Sequence, residues 1–196
     1  MVRKITAKDF NFIYSLYFHP KINPYLLYEM MDSDSFKPIF KDLLKKEIIF
    51  IFENEGKPVG MFKLFAHTYR TSHIAYLGGV AVHPDYSGKG FGTLMLEEIL
   101  MFGKKRGFLR MELSTATIND KAIRLYEKCG FQKEGILRNY TFLKSENRLL
   151  DEVMMAYLYE WTPQYFAIKN SEFKRVYVTW KYFLFFSRCS RNRRFF

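Results

Sequence analysis

The densest run of chemistry-bearing residues in this 196-residue chain is Ser87-Gly88-Lys89-Gly90-Phe91-Gly92-Thr93, which follows Val82-His83-Pro84 and opens a stretch of helical periodicity. Three glycines in five positions permit positive φ and let the backbone come close to a ligand. At the entry to a helix, unpaired amides and the dipole end attract an anion, and Lys89 adds a positive charge. Such a loop can cradle a phosphate or pyrophosphate; the same residues also suit a plain tight connection between strand and helix. No Gly-Lys-Ser/Thr follows at Walker spacing. No acidic residue ends a following strand some 20 residues on, so the dinucleotide fingerprint is also a poor fit.

The elements that must position this loop follow from periodicity and punctuation. A short strand is predicted over residues 2–5, then a helix over 8–18 with Phe12, Ile13, Leu16 and Tyr17 on one face. His19 to Pro24 breaks it, and a second helix is predicted over 35–46. Residues 47–53 and 59–66 read as strands joined by the turn Asn54-Glu55-Gly56-Lys57, and 72–82 as a third strand. The glycine run then opens a helix over about 93–105, followed by a strand over 108–114. Asn119 suits the N-cap of a helix over 120–129, which Gly130 stops. Strands over 131–142 and 152–159 complete an α/β chain, more narrowly a mixed α+β layer around one sheet. One domain is expected over 1–160, and an extension over 161–196.

The segment Gly79-Val80-Ala81-Val82-His83-Pro84-Asp85-Tyr86-Ser87-Gly88-Lys89-Gly90-Phe91-Gly92 resembles the acetyl-coenzyme A loop of the GNAT superfamily of N-acetyltransferases. The usual form of that loop is Arg/Gln-x-x-Gly-x-Gly/Ala. Downstream, Asn119-Asp120-Lys121-Ala122-Ile123-Arg124-Leu125-Tyr126-Glu127-Lys128-Cys129-Gly130-Phe131 resembles the second signature of the superfamily. The element order agrees from residue 2 to about 159. The resemblance implies a central, mostly antiparallel sheet with splayed central strands, flanked by helices. It also implies acetyl-CoA as the acetyl donor, with no metal. One departure stands out: Ser87 occupies the place of Arg or Gln. The backbone cradle does not need that side chain, and Lys89 is the nearby cation that would offset its loss.

The implied reaction is attack of a primary amine on a thioester. It requires a neutral amine, a donor for the developing oxyanion and a proton for the departing thiolate. By resemblance, the backbone of Val80, Ala81 and Val82 supplies the donor and pairs with the pantetheine arm, and Gly78-Gly79 just upstream suits a bulge. Ser87, Gly88, Lys89, Gly90, Phe91, Gly92 and Thr93 hold the phosphates. Asn119 bonds the pantetheine arm, besides serving as an N-cap. Tyr126, two helical turns on and on the same face, donates the proton; the alternative is a Tyr packed in the core. Glu112 is the candidate base, acting through a water. A solvated or ion-paired glutamate is the competing reading. In relatives acting on ribosomal protein N-termini the base stands five residues before the Asn, a place held here by Ser114. Glu29, His73, Tyr76 and Glu152 remain candidates for acceptor binding. His67, His73 and His83 form no metal-ligand spacing, and Cys129 reads as packing.

Composition separates the domain from its extension. Lys and Arg number 31 against 20 Asp and Glu, a formal net charge of +11. Residues 160–196 hold 8 of those bases and only 2 acids, together with 12 of the 37 aromatic residues. The remaining excess on the domain asks for no more than a phosphate-bearing cosubstrate, so no specific DNA binding is expected. The extension suits a membrane surface or RNA, or a flap packed on the domain or on a second subunit as a homodimer. Two cysteines without a CxxC pair, and an N-terminus without an apolar leader, point to the cytoplasm. The expected function is acetyl transfer to a small-molecule amine, an amino acid or a polyamine-like compound. The alternatives are a protein N-terminal or lysine acetyltransferase, or a weak acyl-CoA-binding module.

Overall fold

A computed structural model describes residues 1–160. The extension over 161–196, with its membrane, RNA and second-subunit readings and Cys189, lies outside the described residues. The order is β1 (Val2–Lys4), α1 (Phe10–Tyr17), α2 (Ser33–Lys46), β2 (Ile49–Asn54), β3 (Lys57–Ala66), β4 (Ile74–Val82), α3 (Phe91–Lys105), β5 (Arg110–Ala116), α4 (Asp120–Lys128), β6 (Gln132–Leu143) and β7 (Arg148–Leu158). This is the expected order. The seven strands form one sheet, arranged β1-β2-β3-β4-β5-β7-β6. All neighbours are antiparallel except β4 and β5.

Boundaries shifted where polar residues carry structure. Helix α1 starts two residues late because Ala7–Asp9 forms a 3-10 turn, in which the Asp9 carboxylate accepts from the Thr6 amide at 2.7 Å and from Arg3 at 2.8 Å. Strand β7 begins at Arg148, earlier than expected, because it closes a hairpin with β6 in which Leu143 faces Arg148. Its opening residues, Arg148 to Asp151, include two charged side chains and belong to the strand only because β6 pairs with them.

Around β2 the sheet is buried on both faces, and period two sorts that strand's residues between two cores. Phe50 and Phe52 join Leu96, Ile99 and Ile123 on the α3/α4 side. Ile49 and Ile51 join Leu16, Phe36 and Phe40 on the α1/α2 side. In β3, Met61 belongs to the α1/α2 core, and Lys63, two residues on, shares its face. A lysine therefore stands where the pattern of the neighbouring strands puts apolar side chains.

Two irregularities open the centre of the sheet. Strand β4 has one residue more than β3 between the pairs Lys63↔Gly78 and Met61↔Ala81. Gly79, with φ of 57°, takes up that extra residue in a left-handed conformation that glycine adopts without strain. The second irregularity is the parallel pairing of β4 with β5, which covers Ile74, Ala75 and Tyr76 opposite Arg110, Met111 and Glu112 and then stops. Beyond it the two strands diverge, as the splayed centre of the expected fold requires.

Candidate active site

The glycine run forms the turn into α3. Gly88 and Gly90 have φ of 77° and 82°, and Gly90 is the N-cap, with no side chain bonded to the helix start. The amides at that end are left for a ligand. A methyl group built on Gly88 or Gly90 meets nothing within 4 Å, so no neighbouring atom crowds the backbone at either glycine. Gly92 serves packing: a Cβ there would lie 3.0 Å from Leu125 of α4, so its absence lets the two helices approach. Phe91 stacks edge-on against Tyr86, and the Thr93 amide donates to the Gly90 carbonyl at 3.1 Å. These features fit the phosphate end of acetyl-CoA.

Lys89 bonds back to its own loop. Its Nζ donates to the Asp85 carbonyl at 2.8 Å and lies 6.0 Å from the centre of the Tyr86 ring. The cation beside Ser87 is instead Lys121 of α4, whose Nζ donates to Ser87 Oγ at 3.4 Å. Sequence reasoning passed over Lys121, although it is the third residue of the second motif. Only the packing of α4 against α3 brings the two motifs together at this point.

Val80, Ala81 and Val82 line the split. Ala81 and Val82 pair with Met61 and Gly60 on the β3 side, whereas the pairs with β5 have ended at Tyr76. One backbone edge of this segment is thus left without a strand partner, as an extended arm lying in the split would require. Asn119 caps α4, its Oδ1 accepting from the Ala122 amide at 3.3 Å and its Nδ2 donating to Thr115 Oγ1 at 3.3 Å. Tyr126 is buried in the core, its ring 5.8 Å from that of Phe131. Burial, reinforced by nearby Tyr76, pushes its phenol well above the ordinary range, so it holds its proton at neutral pH. Burial also raises the Cys129 thiol, unlike an activated nucleophile.

A cavity of about 520 Å³ opens at the split and is lined by Gly78 and Gly79 of β4 and by Ser114, Thr115 and Ala116 of β5. Its walls include the segment from Asn23 to Glu29 and the β6 end of the outer hairpin. Inside, a chain of polar groups crosses four adjacent strands, β4, β5, β7 and β6. Ser114 Oγ donates to one oxygen of Glu152, and Thr141 Oγ1 donates to the other. Because Ser114 gives its proton to the carboxylate, the Tyr76 hydroxyl 2.8 Å away is the donor to Ser114. Burial pushes the Tyr76 phenol up, which keeps that donor protonated.

Of the acceptor candidates, Glu29, Tyr76 and Glu152 line the cavity and His73 does not. Glu29 accepts from the Lys144 amide at 3.1 Å. Glu112 is also outside the lining residues. Its carboxylate is held by Arg110 at 2.8 Å, with His67 Nε2 at 3.7 Å, and Arg110 in turn grips Glu134. Lys63, Tyr17 and Thr141 are among the lining residues to which the sequence assigned no role in the site. Among the described residues no group of three or more His, Cys, Asp and Glu side chains is arranged to hold a metal ion. No helix among them is long and apolar enough to cross a membrane.

Comparison with known proteins bears on this geometry. The profile of the acetyltransferase (GNAT) family matches residues 8–131. An uncharacterized N-acetyltransferase of Methanocaldococcus jannaschii is 27% identical over 150 residues, which is 71% of this chain and 63% of that protein. The ribosomal protein bS18-alanine N-acetyltransferase of Escherichia coli K12 is 38% identical over 81 residues, 41% of this chain and 55% of that protein. The chain thus spans less than two thirds of the length of these relatives. Among solved structures, a spermidine N-acetyltransferase from Vibrio cholerae, in complex with CoA and spermine, shares the fold with a TM-score of 0.70 at 23% identity, covering 81% of this chain and 94% of that one. With the profile spanning more than half of the chain, this protein belongs to the GNAT family of acetyltransferases.

Proposed function

We propose that the protein transfers the acetyl group of acetyl-CoA to a primary amine of a small molecule. The observation that carries this reading is the cavity at the split, where the diverging backbones of β4 and β5 meet the Tyr76–Ser114–Glu152–Thr141 chain. The residues from Ser87 to Thr93, with Lys121, hold the phosphates, and the free edge of Val80, Ala81 and Val82 with Asn119 holds the extended arm. Acetyl-CoA supplies an activated acyl group on a sulfur leaving group. Tyr126, protonated at neutral pH, gives the departing sulfur its proton.

The amine arrives as an ammonium ion and must lose a proton before it can attack. Of the carboxylates that line the cavity, Glu29 and Glu146 are exposed, whereas Glu152 is half-buried and held by two hydroxyls, so Glu152 attracts the ammonium and takes its proton, directly or through a water. Ser114 and Thr141 fix its orientation. Glu112 shares the β5 face of Ser114 but is neutralised by Arg110 and lies outside the cavity lining, which makes it a positioning group rather than the base expected from the sequence pattern. A second reading, a peptide N-terminus as acceptor, is favoured by the likeness to the bS18-alanine N-acetyltransferase.

The test is an acceptor panel of amino acids, polyamines and short peptides, read by release of free thiol, beside calorimetry with acetyl-CoA. Saturable binding and turnover of a small amine are expected. Chain that binds no acetyl-CoA removes the enzyme reading. Turnover of peptides alone replaces the small molecule with the peptide.

A further inference from the structure

The cavity carries opposite charges on different strands. Glu152 stands on β7, and Lys63, on β3, is the one cationic side chain among the described residues that line the space. Lys63 is 4% exposed. Its ammonium lies 4.7 Å from the centre of the Tyr28 ring and 5.2 Å from that of Tyr17, and its one hydrogen bond among the described residues is to the Tyr28 hydroxyl at 3.4 Å. None of the ion pairs found among the described residues includes it. A buried ammonium without a carboxylate is an expensive arrangement, and proteins ordinarily pair such a charge.

A second group beside it is also unsatisfied. Tyr17 lines the same cavity, and its hydroxyl is buried with no hydrogen-bond partner among the described residues. It lies 3.7 Å from where a Cβ on Gly79 would be, and the Lys63 stem lies 3.6 Å from that same point. The β4 bulge therefore gathers the phenol and the lysine at one corner. Both groups are hydrogen-bond donors. An acceptor group that fills this corner is one with two oxygens and a negative charge.

We propose that Lys63 and Tyr17 form a carboxylate-binding subsite, so that the amine acceptor is amino-acid-like, with its carboxylate at Lys63 and its amine toward Glu152. The proposal rests on the acetyltransferase reading and narrows it. A polyamine satisfies Glu152 but brings a second cation toward Lys63. A zwitterion satisfies both. Desolvation pushes the Lys63 ammonium down to about 8, with Lys46 adding to the effect, so it is still charged at neutral pH and gains most from an anion.

The experiment uses the full chain and matched trios of acceptors: an amino acid, its amide and its decarboxylated amine, with small, branched and aromatic side chains in turn, and spermidine alongside. Thiol release from acetyl-CoA gives kcat and KM for each. The amide is the weaker base and has more neutral amine near pH 7.5, which biases the comparison against the proposal. The acid is expected to exceed both analogues at least tenfold in kcat/KM. Lys63→Met should raise KM for the acid at least tenfold, with kcat and the decarboxylated amine changed less than twofold. Tyr17→Phe, which removes one oxygen from a packed ring, should raise KM for the acid severalfold and keeps the test in hand if Lys63→Met does not fold.

Preference for spermidine or the amides overturns the subsite while leaving acetyl transfer intact. So does a Lys63→Met variant that weakens every acceptor alike. If no acceptor turns over, the acetyltransferase reading fails, and calorimetry with the same trios judges the subsite alone: tighter binding of the acid supports it, and equal or absent binding overturns it.

Discussion

The two ends of the split are built on different principles. At the α3 end the groups that would meet a ligand are mostly backbone: the turn at Gly88 and Gly90, the uncapped helix start and the free edge of β4. At the α1/α2 end they are side chains from distant elements: Tyr17 of α1, Lys63 of β3, Ser114 of β5 and Glu152 of β7. A backbone site depends on conformation and tolerates changed side chains, which is how Ser87 can stand where the family usually has Arg or Gln. A side-chain site depends on identity, and single atoms decide what binds. The first end suits a cosubstrate common to a family, the second an acceptor that differs between members.

The sharpest probe of this contrast is Tyr126, the proton donor proposed between the two ends. Tyr126→Phe should lower kcat by roughly 10²-fold or more with acetyl-CoA affinity unchanged, since it removes only the proton donor. Equal turnover by the variant would leave Tyr126 with a packing role alone. Glu152→Gln belongs to the acceptor end. We expect kcat/KM for the amine to fall roughly 10- to 100-fold while calorimetric binding of acetyl-CoA stays within twofold. Weakened acetyl-CoA binding would break the division between the ends.

Gly90→Val acts at the other end. Its φ of 82° is a conformation that a branched residue adopts at a cost of about 1–2 kcal/mol, which predicts roughly tenfold weaker acetyl-CoA binding and an unchanged acceptor KM. Lys63 offers a test by pH. Its folded value, about 8, lies below the ordinary 10.5, so over the interval between them the unfolded chain binds more protons and stability rises with pH. The groups facing it are silent in that interval. Tyr17 and Tyr28 are both raised by burial, and the Lys46 ammonium is raised by Asp42. Denaturant melts from about pH 8 to about pH 9 should show a gain of about 1 kcal/mol that Lys63→Met lacks. A variant with the same slope would place the titration elsewhere. The smallest effect is Lys121→Ala, about threefold in acetyl-CoA affinity and lost at high salt, while Lys89→Ala, whose ammonium bonds its own loop, should change less.

Much of the fold was legible from particular residues. The apolar run from Ile48 to Phe52 and the turn at Glu55-Gly56 mark a hairpin by local chemistry alone, and Asn119 marks its helix start because the cap bond spans three residues. The bulge was foreshadowed by Gly78-Gly79. The early start of β7 was not, because Arg148 and Asp151 look like loop until the hairpin partner is known. Glu112 and Glu152 show the limit for the site. Both are glutamates on strands, and only the tertiary arrangement tells them apart: Arg110 neutralises one, and two hydroxyls aim the other into the cavity. Lys63 was passed over because period two gives its face but not what covers that face.

The sequence by itself determined the element order, the glycine turn and the second motif with its capping Asn119, because each depends on residues within a turn or two of one another. The tertiary structure alone decided which carboxylate enters the cavity, that Lys121 and not Lys89 stands beside Ser87, and that Lys63 meets Tyr17 in a buried corner. Those meetings join residues tens of positions apart. Their energies depend on burial and on partners that no local pattern encodes.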